Sequence, residues 1–218
     1  MERGCLISFE GLDGAGKTTQ VDLLERWFRE QSLAYRRTRE PGGTALGVEI
    51  RNLLFNRPDL VITPLAEAFL FQADRAQHFA TVILPALAQG SHVITDRCFD
   101  SSIAYQGATR GVGEALAARL SLIATQEHKP DLTILLDLDP TLVGVRTDVT
   151  RDLDGRREQP SRFDSESEQF QRRLRDAFIT LARREPERIK VLDAARSPEQ
   201  IHAEVVQLVR NLLSHREK

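Results

Sequence analysis

One short stretch, GLDGAGKT at positions 11–18, constrains the fold of this chain more than any other part of it. It matches the pattern G-x-x-x-x-G-K-[ST], in which a glycine-rich turn follows a β-strand and opens an α-helix. The context agrees, because the apolar run LISFE precedes the turn and apolar residues recur at three- and four-residue steps after Lys17. The sequence therefore predicts a strand, a phosphate-binding loop and a helix in immediate succession.

The loop predicts a site for the phosphates of a nucleoside triphosphate. Glycines allow backbone N–H groups to approach the phosphates, Lys17 is expected to reach the β- and γ-phosphates, and Thr18 to hold Mg²⁺. An ordinary strand-to-helix turn with a solvated lysine is the alternative. The predicted triphosphate site consists of Gly11, Leu12, Asp13, Gly14, Ala15, Gly16, Lys17, Thr18 and Thr19.

Short apolar runs alternate with longer amphipathic ones along the rest of the chain, which is typical of a parallel sheet flanked by helices. Strands are predicted over 6–10, 34–40, 92–96, 132–138 and 188–193. Helices are predicted over 17–31, 45–55, 64–90 with a kink or split at Pro85, 114–126 and 197–214, with a glycine-punctuated loop over 107–113. The helix that starts at Pro64 carries Leu65, Phe69 and Ala73 on one side, and we expect His78 at the surface on its polar side.

Length and composition predict one soluble domain over residues 1–218. A formal net charge of −2 argues against a mainly electrostatic nucleic-acid binder. Cys5 and Cys98 are too few and too far apart for a disulfide framework, which fits a reducing cytoplasm, and no apolar run approaches membrane-spanning length. We therefore expect a cytoplasmic protein without nucleic-acid or membrane partners.

A triphosphate site leaves several functional classes open. A switch GTPase needs an N-K-x-D element, which is absent from the sequence, and a motor usually brings a longer chain and a basic surface. A small-molecule kinase needs a second anion site, and Asp96-Arg97 directly after the strand over 92–96 is a candidate, because α/β sheets bind ligands at the carboxyl ends of their strands. Asp96 can hold Mg²⁺ through water and Arg97 can bind a monophosphate with two hydrogen bonds, although a surface ion pair is the alternative.

Five motifs in order and spacing resemble bacterial thymidylate kinases over about residues 6–193: FEGLDGAGKTTQ, TREPGGT, FQADRAQH, DRCFDSSIAYQG and KPDLTILLD. The resemblance implies a three-layer P-loop nucleoside-monophosphate-kinase fold, that is, an α/β fold with a five-stranded parallel sheet flanked by helices and with a mobile lid. It also implies transfer of the γ-phosphoryl group of ATP to dTMP, Mg²⁺ as cofactor, and usually a homodimer. A deoxynucleoside kinase and a non-catalytic nucleotide-binding regulator remain as alternatives.

The resemblance assigns the acceptor side residue by residue. It implies that Arg97 binds the acceptor phosphate near the metal, and that Tyr105 crowds the sugar C2′ and so disfavours ribonucleotides. Phe71 and Arg75 are four residues apart and therefore lie on one helix face. The resemblance implies that the Phe71 ring stacks on thymine and that the Arg75 guanidinium donates a hydrogen bond to it. The ordinary interpretation is that the phenylalanine packs in the core and the arginine is solvated. The remaining residues implied to border dTMP are Arg39, Arg51, Ser102 and Gln106.

Asp13 and a basic segment complete the predicted catalytic set of Lys17, Arg97, Arg157 and Asp13. Asp13 lies in mid-loop and is expected to face the acceptor, where the resemblance implies a contact with the 3′-hydroxyl of dTMP; a local turn role is the alternative. The loop contains no arginine, so the segment 146–162 is predicted to be a lid that supplies one. The resemblance of SRFDSE to the family's lid stretch favours Arg157, with Arg151 and Arg156 as rivals and a solvated basic loop as the alternative.

Overall fold

The computed structural model describes residues 3–143 and 167–214, which form a five-stranded, all-parallel sheet flanked by helices. The strands lie in the order β2-β3-β1-β4-β5. Their bounds are Leu6–Gly11 for β1, Tyr35–Arg39 for β2, His92–Asp96 for β3, Leu132–Asp137 for β4 and Ile189–Asp193 for β5. This sheet confirms the predicted α/β fold, and each observed strand ends within one residue of its prediction.

Eight α-helices are described in these residues: α1 Lys17–Glu30, α2 Ala45–Phe55, α3 Pro64–His78, α4 Leu84–Ala88, α5 Phe99–Ser102, α6 Glu114–Ala124, α7 Glu168–Arg184 and α8 Pro198–Ser214. A π-helical segment, Phe79–Ile83, joins α3 to α4 just before Pro85, as expected where a proline removes a backbone donor. A second π-helical segment, Ile103–Thr109, continues α5, and Pro140–Leu142 forms a short 3₁₀ turn. Among the described residues, no helix has both the length and the apolar character needed to cross a membrane.

The core has two parts, one on each face of the sheet, because successive side chains of a strand point to opposite faces. On one face Ile7 and Phe9 of β1 pack with α1 and α8 through Val21, Leu24, Phe28, Ile201, Val205 and Val209. On the other face Leu6 belongs to a cluster with α5, α7 and the π-helical segments through Phe79, Ile83, Phe99, Ile103, Leu174 and Phe178. The segments that follow β1 and β3 therefore leave the sheet toward opposite faces, which opens a crevice at the carboxyl ends of these neighbouring strands.

Several predictions of local structure were wrong. His78 has no exposed surface, because Thr38 Oγ1 lies 2.6 Å from its Nε2 and Glu40 Oε1 lies 3.0 Å from its Nδ1. The loop predicted over 107–113 begins later, since the π-helical segment runs to Thr109, and α7 was not predicted. Leu65 and Phe69 do lie on one side of α3, as predicted, and that side is exposed, with 46% and 53% of their surfaces accessible.

The predicted lid over 146–162 lies entirely within 144–166, outside the described residues.

Candidate active site

The phosphate loop connects β1 to α1 with a backbone that glycine makes possible. Gly14 and Gly16 have φ values of +75° and +89°, a region that other residues rarely adopt. Gly11 has a φ of +137°, and a Cβ atom there would lie 2.4 Å from the carbonyl oxygen of Leu136. Gly16 occupies the N-cap position of α1 and has no side chain to cap the N–H groups of the first turn. These N–H groups can therefore donate to an anion.

Lys17 lies folded into this loop, with only 7% of its surface exposed. Its Nζ donates to the carbonyl oxygens of Leu12 at 2.8 Å and Gly11 at 3.3 Å, and lies 3.8 Å from Asp13 Oδ1. Burial lowers the pKa of Lys17, and the nearby Arg97 charge lowers it further. The ammonium group is thus held at the loop, where the sequence predicts the β- and γ-phosphates.

Arg97 joins the loop to the end of β3. Its Nη2 donates to Asp13 Oδ1 at 2.5 Å and to Tyr105 Oη at 3.1 Å. Its Nη1 donates to Gly11 O at 3.1 Å and to Ser101 Oγ at 3.2 Å. Burial alone would raise the pKa of Asp13, but the Arg97 and Lys17 charges hold it below its usual value. The structure therefore brings three of the predicted catalytic residues, Asp13, Lys17 and Arg97, together; the fourth, Arg157, lies outside the described residues.

A buried carboxyl group, missed from the sequence, lies behind Arg97. Glu10 of β1 has no exposed surface, and burial raises its pKa to about 7 even though Arg97 acts in the opposite direction. Its Oε2 lies 3.9 Å from Arg97 Nη1 and accepts a hydrogen bond of 2.6 Å from Ser101 Oγ. Glu10 is the charged residue of the mainly apolar strand LISFEG, and a charged residue in a buried strand indicates a specific partner.

Arg75 lies in a buried polar network rather than at the surface, with 2% of its surface exposed. Its Nε donates to Glu40 Oε2 at 2.8 Å, and its Nη2 to the carbonyl oxygen of Cys98 at 2.9 Å. Its Nη1 donates to Ser102 Oγ at 2.8 Å, and also to Gln72 and Ser121. The ordinary interpretation of a solvated arginine is therefore wrong, and Arg75 and Ser102 are in direct contact.

The other residues predicted to border dTMP lie around this network. Phe71 is half-buried, with its ring edge-on to Phe55 at 6.3 Å between centroids, and the Arg51 guanidinium lies 4.6 Å from the Phe55 ring. Arg39 ends β2 and pairs in register with Asp96 of β3. Gln106 lies in the π-helical segment after α5, where its Nε2 donates to the buried Glu67 Oε1 at 2.9 Å.

Two oxygen-bearing side chains meet beside the loop, where a metal is predicted. Thr18 Oγ1 donates to Asp96 Oδ2 at 2.8 Å. A hydroxyl and a carboxylate are the hard oxygen donors that Mg²⁺ prefers, usually together with water and phosphate oxygens. No cluster of three or more histidine, cysteine or acidic side chains with metal-binding geometry occurs in residues 3–143 and 167–214.

Comparisons with known proteins agree on one family. The family model described as thymidylate kinase matches residues 9–205. A thymidylate kinase of Leifsonia xyli subsp. xyli is 48% identical over 202 residues, covering 93% of this chain and 92% of that protein, and one of Bifidobacterium longum (strain NCC 2705) is 45% identical over 212 residues, covering 96% and 98%. The crystal structure of thymidylate kinase from Ehrlichia chaffeensis is similar to this fold, with a TM-score of 0.73, 33% identity and coverage of 95% and 99%.

Proposed function

Since this chain belongs to the thymidylate kinase family, we propose that it transfers the γ-phosphoryl group of ATP to dTMP in the crevice between β1 and β3. The observation that carries the proposal is the 2.5 Å contact between Asp13 of the phosphate loop and Arg97 of the second anion site. A kinase must align two phosphates, and this contact supports the proposal because it joins a residue of the predicted triphosphate loop to the residue predicted to bind the acceptor phosphate. Neither a deoxynucleoside kinase nor a non-catalytic regulator is favoured by these relatives.

The donor phosphates are assigned to residues 11–19. Backbone N–H groups and the start of α1 face the anion, and Lys17 moves its ammonium group from the loop carbonyls to the β- and γ-phosphates. Thr18 and Asp96 hold Mg²⁺, which neutralises phosphate charge. Thr18 Oγ1 and Asp96 Oδ2, which lie 2.8 Å apart, are the two side-chain oxygens that would hold the metal when the nucleotide is bound.

The acceptor phosphate is assigned to Arg97. Its side chain is only 17% exposed, and burial would lower its pKa, but Tyr105, Asp13 and Glu10 together raise it, so the guanidinium stays charged. The Nη2 atom that now contacts Asp13 can bind a phosphate oxygen, and Asp13 is then free to accept a hydrogen bond from the sugar 3′-hydroxyl. Tyr105 is fixed by Arg97 and by the rings of Phe170 and Phe178, which makes it a rigid wall beside the sugar.

The base is assigned to Phe71 and Arg75. Arginine has five N–H donors, and partners in the described residues account for the Nε hydrogen, both Nη1 hydrogens and one Nη2 hydrogen of Arg75. The remaining Nη2 hydrogen suits the O4 carbonyl of thymine, whereas cytosine presents an amino donor there. Ser102, Gln106, Arg39 and Arg51 are assigned supporting contacts around dTMP.

The catalytic lid arginine stays a prediction on Arg157. With no arginine in the loop, an open lid should bind ATP without transferring its phosphate. Replacing Arg151, Arg156 and Arg157 singly by alanine should lower kcat on the order of 10³-fold in one variant, and raise the KM for dTMP far less. Near-normal kcat in all three variants would contradict a lid arginine.

A homodimer is proposed from exposed apolar side chains on α2, α3 and α6. Six of these are Leu46, Val48, Leu65, Phe69, Leu116 and Ile123, each at least 45% exposed. Because α3 packs against both α2 and α6, these side chains belong to one layer. A second copy of the chain would remove this exposed apolar surface from water. Light scattering should give twice the chain mass for the wild type and a smaller mass for Phe69→Asp; a monomeric wild type would contradict the dimer. A single cytoplasmic domain over 1–218 is part of the same proposal.

Acceptor specificity tests the proposed function directly. Coupled ADP-release assays with ATP and Mg²⁺ should give a higher kcat/KM for dTMP than for AMP, GMP or CMP. Thymidine should not replace dTMP, because Arg97 would lack its phosphate. Faster turnover of another monophosphate, or of thymidine, would refute the assignment, and absence of any dTMP-dependent turnover would favour a regulator.

A further inference from the structure

We propose that Glu10 is a positioning residue, which fixes the orientation of Arg97 for the acceptor phosphate. The inference rests on the role proposed above for Arg97, and it assigns to dTMP binding a buried carboxyl group that lies behind the site. The competing explanation is purely structural, namely that Glu10 only satisfies backbone donors at the start of α5. The contacts of Glu10 separate these explanations.

Glu10 is costly to bury, so its position calls for specific partners. It lies on the central strand β1 with no exposed surface. A carboxyl group removed from water loses free energy unless hydrogen bonds or a charge replace the lost solvent. The partners that do so all come from one short segment, residues 97–101, which begins with Arg97.

The two carboxyl oxygens of Glu10 have different tasks. Oε1 accepts from the backbone N–H groups of Cys98 at 2.8 Å and Ser101 at 3.2 Å. Oε2 accepts from Ser101 Oγ at 2.6 Å and lies 3.9 Å from Arg97 Nη1. Arg97 Nη1 in turn donates to Ser101 Oγ at 3.2 Å. Only the Oε1 contacts are explained by a structural role, whereas Oε2 orients the guanidinium through a shared hydroxyl and through charge.

The backbone of Arg97 also depends on β1. Arg97 has a φ of +64°, a left-handed conformation that is strained for any residue other than glycine. The N–H group of Arg97 donates to the carbonyl oxygen of Phe9 at 2.9 Å, and the next N–H group, that of Cys98, donates to Glu10. Two successive residues of β1 therefore hold the peptide groups on both sides of the strained residue.

This arrangement leaves the opposite side of the guanidinium for the substrate. Nη1 is held by Ser101 and Gly11, while Nη2 faces Asp13 and Tyr105, the two residues assigned to the sugar. A guanidinium that is fixed on its Nη1 side presents Nη2 at one orientation. Above pH 7, where the Glu10 carboxyl is ionised, loss of its negative charge and of the Oε2 acceptor should therefore weaken dTMP binding and slow transfer, and should leave ATP binding largely unchanged.

The test compares Glu10→Gln with Asp100→Asn. Glutamine keeps the shape and the Oε1 acceptor of Glu10, but it replaces Oε2 with an amino group and so removes both the charge and the acceptor of the Ser101 hydrogen bond. Asp100 is a matched control, since it is equally buried but binds Arg188 and Thr133 instead of Arg97. Glu10→Gln should lower kcat/KM for dTMP by roughly 10- to 100-fold, the range that a small misplacement of a substrate-binding group produces, with the KM for ATP within twofold. Asp100→Asn should leave the ratio of the two KM values unchanged.

A double-mutant cycle with Arg97→Ala shows whether Glu10 acts through Arg97. In the Arg97→Ala background, Glu10→Gln should change kcat/KM for dTMP by less than twofold. Ser101→Ala, which removes the shared hydroxyl, should act in the same direction as Glu10→Gln and keeps the test available if the glutamine variant does not fold.

Three results would overturn the inference. The first is wild-type kinetics in Glu10→Gln or, if that variant does not fold, in Ser101→Ala. The second is an equal rise of the KM for ATP and the KM for dTMP in Glu10→Gln, and the third is an effect of Glu10→Gln on kcat/KM that is as large in the Arg97→Ala background as in the wild type. If Arg97→Ala itself leaves kcat/KM for dTMP unchanged, the proposed role of Arg97 fails, and the inference fails with it. If the wild type shows no dTMP-dependent turnover, the proposed function itself fails. The acceptor assay on the wild type detects this failure without any variant.

Discussion

The two halves of the proposed active site are built in different ways. The donor half, residues 11–19, is one continuous stretch whose shape comes from glycine backbone angles and the start of α1. The acceptor half, defined here by Arg75, Arg97 and Tyr105 with their contacts, is assembled from side chains of β1, α3, α5 and the π-helical segment after α5. The donor half is therefore local in sequence, whereas the acceptor half exists only after folding.

This difference predicts where mutations act. A phosphate loop tolerates changes that keep its backbone, because N–H groups supply much of the binding. The acceptor half depends on individual charged side chains with little or no solvent around them, so the loss of one leaves its partners unsatisfied. Within the acceptor half, Arg97 contacts the open crevice and Arg75 is enclosed, which separates effects on catalysis from effects on stability.

Among changes to the described residues of the two halves, Arg97→Ala is expected to have the largest effect. It removes the proposed phosphate ligand and leaves the Asp13 carboxylate with only the more distant Lys17 as counter-charge. We expect kcat/KM for dTMP to fall by about 10²–10³-fold, through both kcat and KM, as for the removal of a charge-stabilising donor. The KM for ATP should change by less than about threefold.

Steady-state kinetics with each substrate varied in turn measures this split. Arg184→Ala is a suitable control, since this arginine pairs with Glu114 at the surface and 59% of its side chain is exposed. A similar loss for ATP and dTMP in Arg97→Ala would show that the two halves are not separable.

Arg75→Met should act on stability first. Methionine fills much of the space but leaves Glu40 buried without its main charge partner, and it removes the donors to Ser102 and Cys98 O. Breaking a buried ion pair in this way costs about 3–5 kcal/mol of unfolding free energy. Urea unfolding checks this value, with Arg119→Ala as the exposed control at less than about 0.5 kcal/mol. A loss below about 1 kcal/mol for Arg75→Met would mean that the network does not hold the acceptor half together.

Asp74→Asn should have a smaller effect, visible in the pH dependence of stability. Burial, and then the negative charge of Glu40, raise the pKa of Asp74 from 3.8 to about 6. Between these values the folded state binds more protons than the unfolded state, so this carboxyl makes the unfolding free energy fall as pH rises from about 4 to 6. The contribution is about 2 kcal/mol, and asparagine should remove it. Urea unfolding across this range should give a flatter profile for the variant; parallel profiles would contradict the raised pKa.

The contrast between the donor and acceptor halves also explains which parts of the molecule could be predicted from the sequence. The loop motif and the apolar runs are local signals, so the strands, the loop and most helices were predicted within a few residues. Asp96 and Arg97 were found because parallel strands end at one edge of the sheet. The individual roles in the acceptor half came from resemblance to a family, and they stay predictions.

The rest needed the folded chain. His78 was placed at the surface because a polar residue on a helix is usually exposed, but Thr38 and Glu40, about 40 residues away, satisfy both of its ring nitrogens. Periodicity finds an apolar stripe such as the one with Phe69, but it does not show whether that stripe meets the core or solvent.

The contact between Asp13 and Arg97 is the link between the two halves, and Asp13→Asn tests it most directly. Calorimetric titration should be done with dTMP and, separately, with a non-hydrolysable ATP analogue and Mg²⁺. We expect dTMP binding to weaken by about tenfold. Asparagine keeps the loop but loses the negative charge that orients Arg97 and that strengthens the hydrogen bond from the sugar hydroxyl. The affinity for the ATP analogue should stay within about twofold, since the loop backbone binds it. Equal weakening of both ligands, or weakening of the ATP analogue alone, would contradict separate halves joined at this contact.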